Sequence, residues 1–577
     1  MKNNAIISLL LFLLAFQCVM SMKQKSPTSD ETPHLAAGYS YWKTGSFRMN
    51  PEHPPLIKLL AGIPLLFMKL DFPSHLPSWE QGEEWSFGEQ FIYNNRVPAE
   101  KIIFAGRIPI VILSILLGLL VFQWAKEIYG INSGLMALFF YVFCPNILAH
   151  SGLVTMDLGI SLFTVLSLYS FYHFLHEPKI KNVIFAGISL GLALSTKFSA
   201  INIFPLYFIL GMIFLLKDKK NNANLLKVVL PFCLIVIIAI LITMLTYGFS
   251  AMNNYFVGLS HVADEVKARG HINFLAGQYS NQGWWYYFIV AFFLKTPIPM
   301  IILLLFTILF LFLVKKSSVK LQEYFIIIPA ILIFGVSSFS HKQIGLRYIL
   351  QVYPFLFIWI SSIMTKQFNP KKYLIPVLLV WYAWGAFKTY PHYLSYFNEF
   401  IGGPKNGYKY LIDSNLDWGQ DLPGLRDYIK KEGNPEIILS FFGSASPRAY
   451  GITYQNFYSY NLSGRPEEHI NSPSPSRELL VMSANALQCL YFSDKHILDW
   501  LKDTPTVKVI GYSLFVYDIT NDEVSHFNLG IFYMHHYAGT ELKKAEREFM
   551  RVLSINPSND KAKQYMEWIK NTVLGAK

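Results

Sequence analysis

Apolar residues fall in long runs separated by short polar breaks. A helix needs about 17–25 such residues to cross a bilayer's hydrocarbon. Runs of that order lie near 4–22, 107–125, 133–149, 153–175, 225–247, 284–313, 323–339, 345–363 and 373–390. A longer run, 183–216, is broken by STKFS at 195–199 and divides into two helices joined by a tight turn. The pattern predicts a polytopic α-helical membrane protein of about eleven spans. The first run, NAIISLLLFLLAFQCVMSM, is long for a signal-peptide core and lacks a small-x-small cleavage site, so it reads as a retained helix. KTPIP at 295–299 should bend the run that holds it. Pro54 and Pro55 set the entry to an amphipathic helix over 56–70.

With the N-terminus cytoplasmic, the Lys-bearing breaks HEPKIKN, KDKKNNANLLK, KKSSVK and TKQFNPKK all fall inside, as the positive-inside rule asks. The flanks of the first run point the other way, with Lys23 and Lys25 outside and Lys2 inside, but four loops outweigh one flank. The outer side then holds residues 23–106, the loop 248–283 and everything after Tyr390. Three regions follow: a membrane domain over 1–390, a soluble α/β domain over 391–522 and a helical segment over 523–577. In that last segment Leu529, Gly530, Tyr533, Ala545, Phe549 and Pro557 fall in the order of a tetratricopeptide unit. One such unit cannot bury both faces alone and has to dock on another surface, in this chain or in a protein partner; an unrelated helical hairpin is the alternative.

The composition agrees: 53% hydrophobic and only 15% charged, against about a quarter charged in soluble domains. The net charge of +12 is spread through loops rather than gathered in a patch, which argues for membrane loops and against nucleic acid. Cys18, Cys144 and Cys233 lie in apolar runs and Cys489 in soluble sequence, so no disulfide framework follows.

On this topology the ionisable residues in or beside the spans collect on the outer face: Asp30, Glu31, His34, Glu52, His53, Lys58, Arg107, Asp157, Lys197, His341, Lys342 and Arg347. Charges at membrane depth are costly and mark function. Singly, Asp157 could be a helix N-terminal acid and Lys197 or Arg347 a snorkelling cation; together they describe the rim of a polar cavity. A transporter would place them nearer the midplane with repeat symmetry, which is not seen. One-sided charges suit chemistry on a lipid whose headgroup lies at that face. With a polyprenyl-phosphate sugar donor, Asp30 or Glu31 would take the acceptor's proton. Arg107, Lys197, Lys342 or Arg347 would hold the leaving phosphate. Tyr39, Tyr41 and Trp42 are candidates to stack on a sugar.

The stretch DETPHLAAGYSYWKTGSFRMNPEHPPLIKLL resembles the first outer loop of the protein O-mannosyltransferases and their bacterial relatives, the lipid A aminoarabinose transferases. The matching residues are Asp30, Glu31, His34, His53, Pro54, Pro55 and Lys58. The likeness continues through AGRIPIVILSILLGLLVFQWAKEIYG with Arg107, NILAHSGLVTMDLGISLF with Asp157, LGLALSTKFSAI with Lys197 and GLRYILQVYP with Arg347. It implies a C-type glycosyltransferase fold, a polyprenyl-phosphate sugar donor and inversion by direct displacement. Asp30 is then the base, Glu31 a group positioning acceptor or sugar, and Arg107 and Arg347 phosphate ligands, with His34, His53 and Asp157 toward the substrate. The soluble part sits at the C-terminus rather than mid-chain as in the mannosyltransferases, which leaves glycan, lipid or protein open as acceptor. The expected setting is the inner (plasma) membrane, multi-pass, with site and C-terminal domain periplasmic. A lipid-linked saccharide flippase and a membrane-tethered interaction protein are the competing readings.

YLIDSNLDWGQDLPGL, residues 410–425, is the densest polar motif outside the spans. Asp413, Asn415, Asp417 and Asp421 have the spacing of early calcium-loop ligands, but Trp418 stands where the turn glycine belongs and Gly424 where the bidentate Glu belongs. A turn with Asp421 as N-cap is preferred, with acceptor binding over the active site next. His34, His53 and Glu52 are weak as metal ligands; no metal residues are assigned, and a divalent cation stays open as a cofactor. Lys295 is a candidate to reach the donor site.

Overall fold

The computed structural model describes residues 2–217, 225–249, 252–268, 271–313, 320–366, 371–458, 460–461, 469–502, 504–536 and 542–575. The loop KKSSVK lies almost wholly outside the described residues, as do the middles of KDKKNNANLLK and TKQFNPKK.

All eleven apolar runs carry helices. Among the described residues six are long and apolar enough to cross a bilayer: Lys2–Met22, Ala99–Tyr129, Met156–His176, Phe198–Lys217, Val229–Thr246 and Leu321–Ser338. A seventh forms if Tyr287–Lys295 and Ile298–Phe310, bent by 115° at the KTPIP break, count as one. The remaining four runs give helices outside that set, and the sequence explains three. Pro145 opens a new short helix three residues after Ile131–Val142 ends. The polar STKFS stops Ile180–Leu194, and 3-10 turns flank Val352–Ser361. The amphipathic segment is a helix over Leu56–Gly62 continued by a 3-10 turn over Ile63–Phe67, with Phe67 exposed at its end.

Helix Glu31–Thr44 crosses Leu56–Gly62 at backbone contact. A Cβ on Gly38 would overlap the Lys58 carbonyl, and one on Gly62 would stand 2.8 Å from the Gly38 backbone. No side chain can rotate out of such a clash. Gly38→Ala should therefore destabilise the fold by about 1–3 kcal/mol, read as a lower unfolding temperature of the purified protein; an unchanged temperature would show that the crossing relaxes.

Beyond residue 391 a five-stranded sheet forms in the order Gln455–Asn456, Glu436–Ser440, Glu478–Ser483, Leu514–Asp518, Lys508–Ile510. The first three strands are parallel, with Ile438 opposite Leu480; Leu514–Asp518 is antiparallel to both of its neighbours, with Val481 opposite Val516. Helix Leu422–Lys431 covers one face with Leu422, Leu425 and Ile429. Helices Glu523–His536 and Leu542–Ile555 pair so closely that a Cβ on Gly530 would stand 2.9 Å from the Phe549 ring. The pair docks on the sheet through buried polar contacts, Arg547 to Glu478 at 2.7 Å and Gln455 to both Tyr533 (3.1 Å) and Glu548 (3.0 Å), while His526 to Glu548 at 2.7 Å ties the two helices together. The surface that the hairpin requires is thus supplied by the chain itself.

Candidate active site

Asp30 and Glu31 sit at the start of a helix, where successive side chains diverge by about 100°. That divergence gives them different fates. Glu31 turns inward and is fully buried. Its oxygens accept from Arg107 Nε at 2.8 Å and Nη2 at 2.7 Å, from the Thr28 backbone N–H at 2.8 Å and from the Val154 N–H at 3.0 Å. The rest of the Arg107 guanidinium donates to the carbonyls of Met22, Lys25 and Ser26. Every donor of Arg107 is engaged and neither residue lines the main cavity. Arg107, expected to hold phosphate, and Glu31, expected to position acceptor or sugar, here form a buried brace joining the first loop to the second span.

Asp30 faces the other way, into a cavity of about 770 Å³. Its Oδ2 accepts from Arg347 Nη1 at 2.8 Å. Among the described residues its Oδ1 accepts no hydrogen bond, and the side chain is 22% exposed. Arg347 lies 3.6 Å from Asp157, which pairs with Lys197 at 2.8 Å. Two carboxylates and two cations thus alternate, drawn from the first outer loop, the fourth run, the STKFS turn and the SHKQIGLRY turn. The Arg347 guanidinium stacks on Trp418 at 4.3 Å, and Lys197 lies 5.1 Å from the Tyr348 ring centre.

His34, one turn after Asp30, lines the same cavity with His53, the two rings 5.6 Å apart. Its Nδ1–H donates to the Val154 carbonyl at 2.7 Å. Burial pushes both imidazoles below their usual range, so they are neutral at pH 7. Lys342, His341 and Glu52 also line the cavity. An apolar stretch of wall comes from Leu206, Ile209, Leu332, Ile333 and Val336.

Other candidates are spent elsewhere. Lys58 is buried, donating to the carbonyls of Asn50 and His53 at 2.6 and 2.8 Å, and so shapes the loop that presents His53. Lys295 is consumed by the carbonyls of Leu394 and Asn415 rather than reaching the cavity. Tyr39 packs on Phe91 and Tyr41 donates to the Met49 carbonyl, both buried; Trp42 donates to the Leu59 carbonyl and keeps an exposed ring, and none of the three lines the cavity. Asp421 makes no side-chain cap; it binds Lys25 and Ser513. Among the described residues no group of three His, Cys, Asp or Glu is placed to hold a metal ion.

The 410–425 motif packs against the loop that carries Asp30. The Ser29 and Ser26 N–H groups donate to the carbonyls of Trp418 and Gln420, both at 3.0 Å, and Ser26 Oγ donates to that of Gly419 at 2.8 Å. Ser414 Oγ donates to the Ile344 carbonyl at 2.7 Å and Asn415 Oδ1 accepts from the Leu346 N–H at 2.9 Å, gripping the turn that carries Arg347. Asp413, Trp418, Phe442 and Tyr491 thereby enter the cavity wall. The density of polar residues in this motif was the available signal for Asp413 and Trp418; Phe442 and Tyr491 lie outside it and had none.

Asp417 is buried beneath this clamp, and burial pushes its carboxyl from 3.8 up to about 7. A native state that binds the proton more tightly gains stability at low pH and loses it as pH rises from 3.8 to about 7. Asp417→Asn should flatten that decline when unfolding temperature is measured between those pH values; an unaltered slope would refute the assignment.

Residues 99–247 match the family model described as dolichyl-phosphate-mannose-protein mannosyltransferase. The matched segment holds Arg107, Asp157 and Lys197 of the motifs quoted above. Solved structures similar to the chain include ArnT from Cupriavidus metallidurans in the apo state, at 12% identity over 90% of this chain and 98% of that one, TM-score 0.48. The same protein bound to undecaprenyl phosphate matches at 11% identity over 89% and 97%, TM-score 0.45. The S. cerevisiae Pmt1-Pmt2 complex bound to the sugar donor matches at 17% over 45% and 34%, TM-score 0.30. No curated protein matches the chain.

Proposed function

We propose that the chain is an inverting glycosyltransferase of the plasma membrane, moving a sugar from a polyprenyl-phosphate donor to an acceptor on the outer face. The observation that carries this reading is the Asp30–Arg347–Asp157–Lys197 relay at the mouth of a cavity with an apolar wall. The isoprenoid chain lies along Leu206, Ile209 and Val336. Its phosphate meets Lys197, Arg347 and Lys342, whose charge offsets the negative charge that builds as the glycosidic C–O bond breaks. Asp30 Oδ1 takes the acceptor hydroxyl's proton as that oxygen attacks the anomeric carbon from the opposite side. The phosphate leaves with the bonding pair, and configuration inverts.

A panel of radiolabelled polyprenyl-phosphate sugars offered to the purified protein tests this. One donor should be consumed with label passing to an acceptor; consumption of none sinks the reading. The sidedness rests on the positive loops, and a C-terminal reporter active only in the cytoplasm would reverse it.

A further inference from the structure

One wall of the cavity comes from the part of the chain beyond residue 391. Asp413 projects from it on a left-handed backbone, φ +57°, a conformation that Gly adopts freely and Asp only tolerates. The position is held from both sides. Its N–H donates to Asn485 Oδ1 at 2.7 Å, and its carbonyl accepts from the Leu416 and Asp417 N–H groups at 2.9 Å. The carboxylate accepts from the Ser414 N–H at 2.6 Å and from the Tyr491 hydroxyl at 3.3 Å. A carboxylate offers about four lone-pair positions, so two remain for a ligand. Tyr491 in turn lies parallel to Phe442, ring centres 5.6 Å apart. A carboxylate beside aromatic rings, at the edge of a cavity, fits one ligand chemistry well. Adjacent hydroxyls donate to the oxygens while the C–H face of the same ring packs on the aromatic surface.

We propose that Asp413, Tyr491 and Phe442 form a subsite for a pyranose ring, so that the C-terminal part completes the transfer site. The proposal rests on the reading of the cavity as a place of glycosyl transfer, and the ring belongs to either the donor or the acceptor.

Binding of the methyl α-glycosides of glucose, mannose and galactose to the full chain, in a detergent without sugar headgroups, is measured by saturation-transfer NMR. At least one should bind the wild type, and Asp413→Asn should weaken it about tenfold or more, the loss expected for a charged hydrogen bond. Asn is at home at positive φ, so this variant should keep the wild-type unfolding temperature; Tyr491→Phe should weaken binding less. No binding to the wild type at about 50 mM, or equal binding by Asp413→Asn, overturns the subsite. In the transfer assay, a raised KM for the donor alone assigns the ring to the transferred sugar, and for the acceptor alone to the acceptor; wild-type values for both overturn the proposal. Glycoside binding by a wild type that consumes no polyprenyl-phosphate sugar keeps the subsite and removes the transferase reading.

Discussion

Asp30→Asn should lower turnover by about 10²- to 10⁴-fold, the contribution of a positioned general base, and leave donor affinity unchanged or improved. Asn keeps the shape of the side chain and removes the charge. Arg347 loses its 2.8 Å partner but remains beside Asp157 and stacked on Trp418, so the cavity should keep its form. A phosphate entering next to Arg347 no longer meets a carboxylate across from it, which is why its KM should not rise. Initial rates at saturating acceptor, measured on protein with the wild-type unfolding temperature, separate the two parameters. Turnover at the wild-type rate, or a loss carried wholly by donor KM, would remove Asp30 from the chemistry.

Its neighbour should behave in the opposite way. Glu31→Gln strands a guanidinium that has no access to water, and breaking a buried pair in this manner costs about 3–5 kcal/mol. The variant should accumulate poorly and unfold at a markedly lower temperature. The fraction that folds should turn over within a few-fold of the wild-type rate, since Glu31 is sealed behind Val154 and Thr28. Thermal unfolding monitored by size exclusion, followed by activity per folded molecule, measures both quantities. A Glu31→Gln protein of normal stability but without activity would return this carboxylate to the reaction.

The contrast between these adjacent residues marks where sequence reading stops. The apolar helices and their interruptions were legible because hydrocarbon thickness and the chemistry of Pro and polar breaks act locally; STKFS divides its run and KTPIP bends its own as expected. Among the described residues, though, only six or seven of the eleven runs give helices long enough to cross. Asp30 and Glu31 could not be separated from residue patterns alone, since the phase of a helix's first turn decides which one faces the cavity. The family resemblance favoured Asp30, and the geometry gives the same residue the open oxygen. Arg107 shows a related limit: a cation at a helix mouth looks the same whether it will meet a phosphate or, as here, Glu31 and three backbone carbonyls. Asp413 carried no periodic signature at all. It occupies a single left-handed position in irregular chain, and only tertiary packing brings it to the loop of Asp30.

The contact between Ser26–Ser29 and Trp418–Leu422 has a consequence for biogenesis. Ribosomal synthesis delivers Asp30 early, yet the carbonyls that fix its loop, and the ring that Arg347 leans on, emerge only after the spans are complete. A half-made chain already inserted in the bilayer would own the apolar wall of the cavity without an ordered Asp30 loop. On the proposed function, the transfer site would thus be complete only at the end of translation.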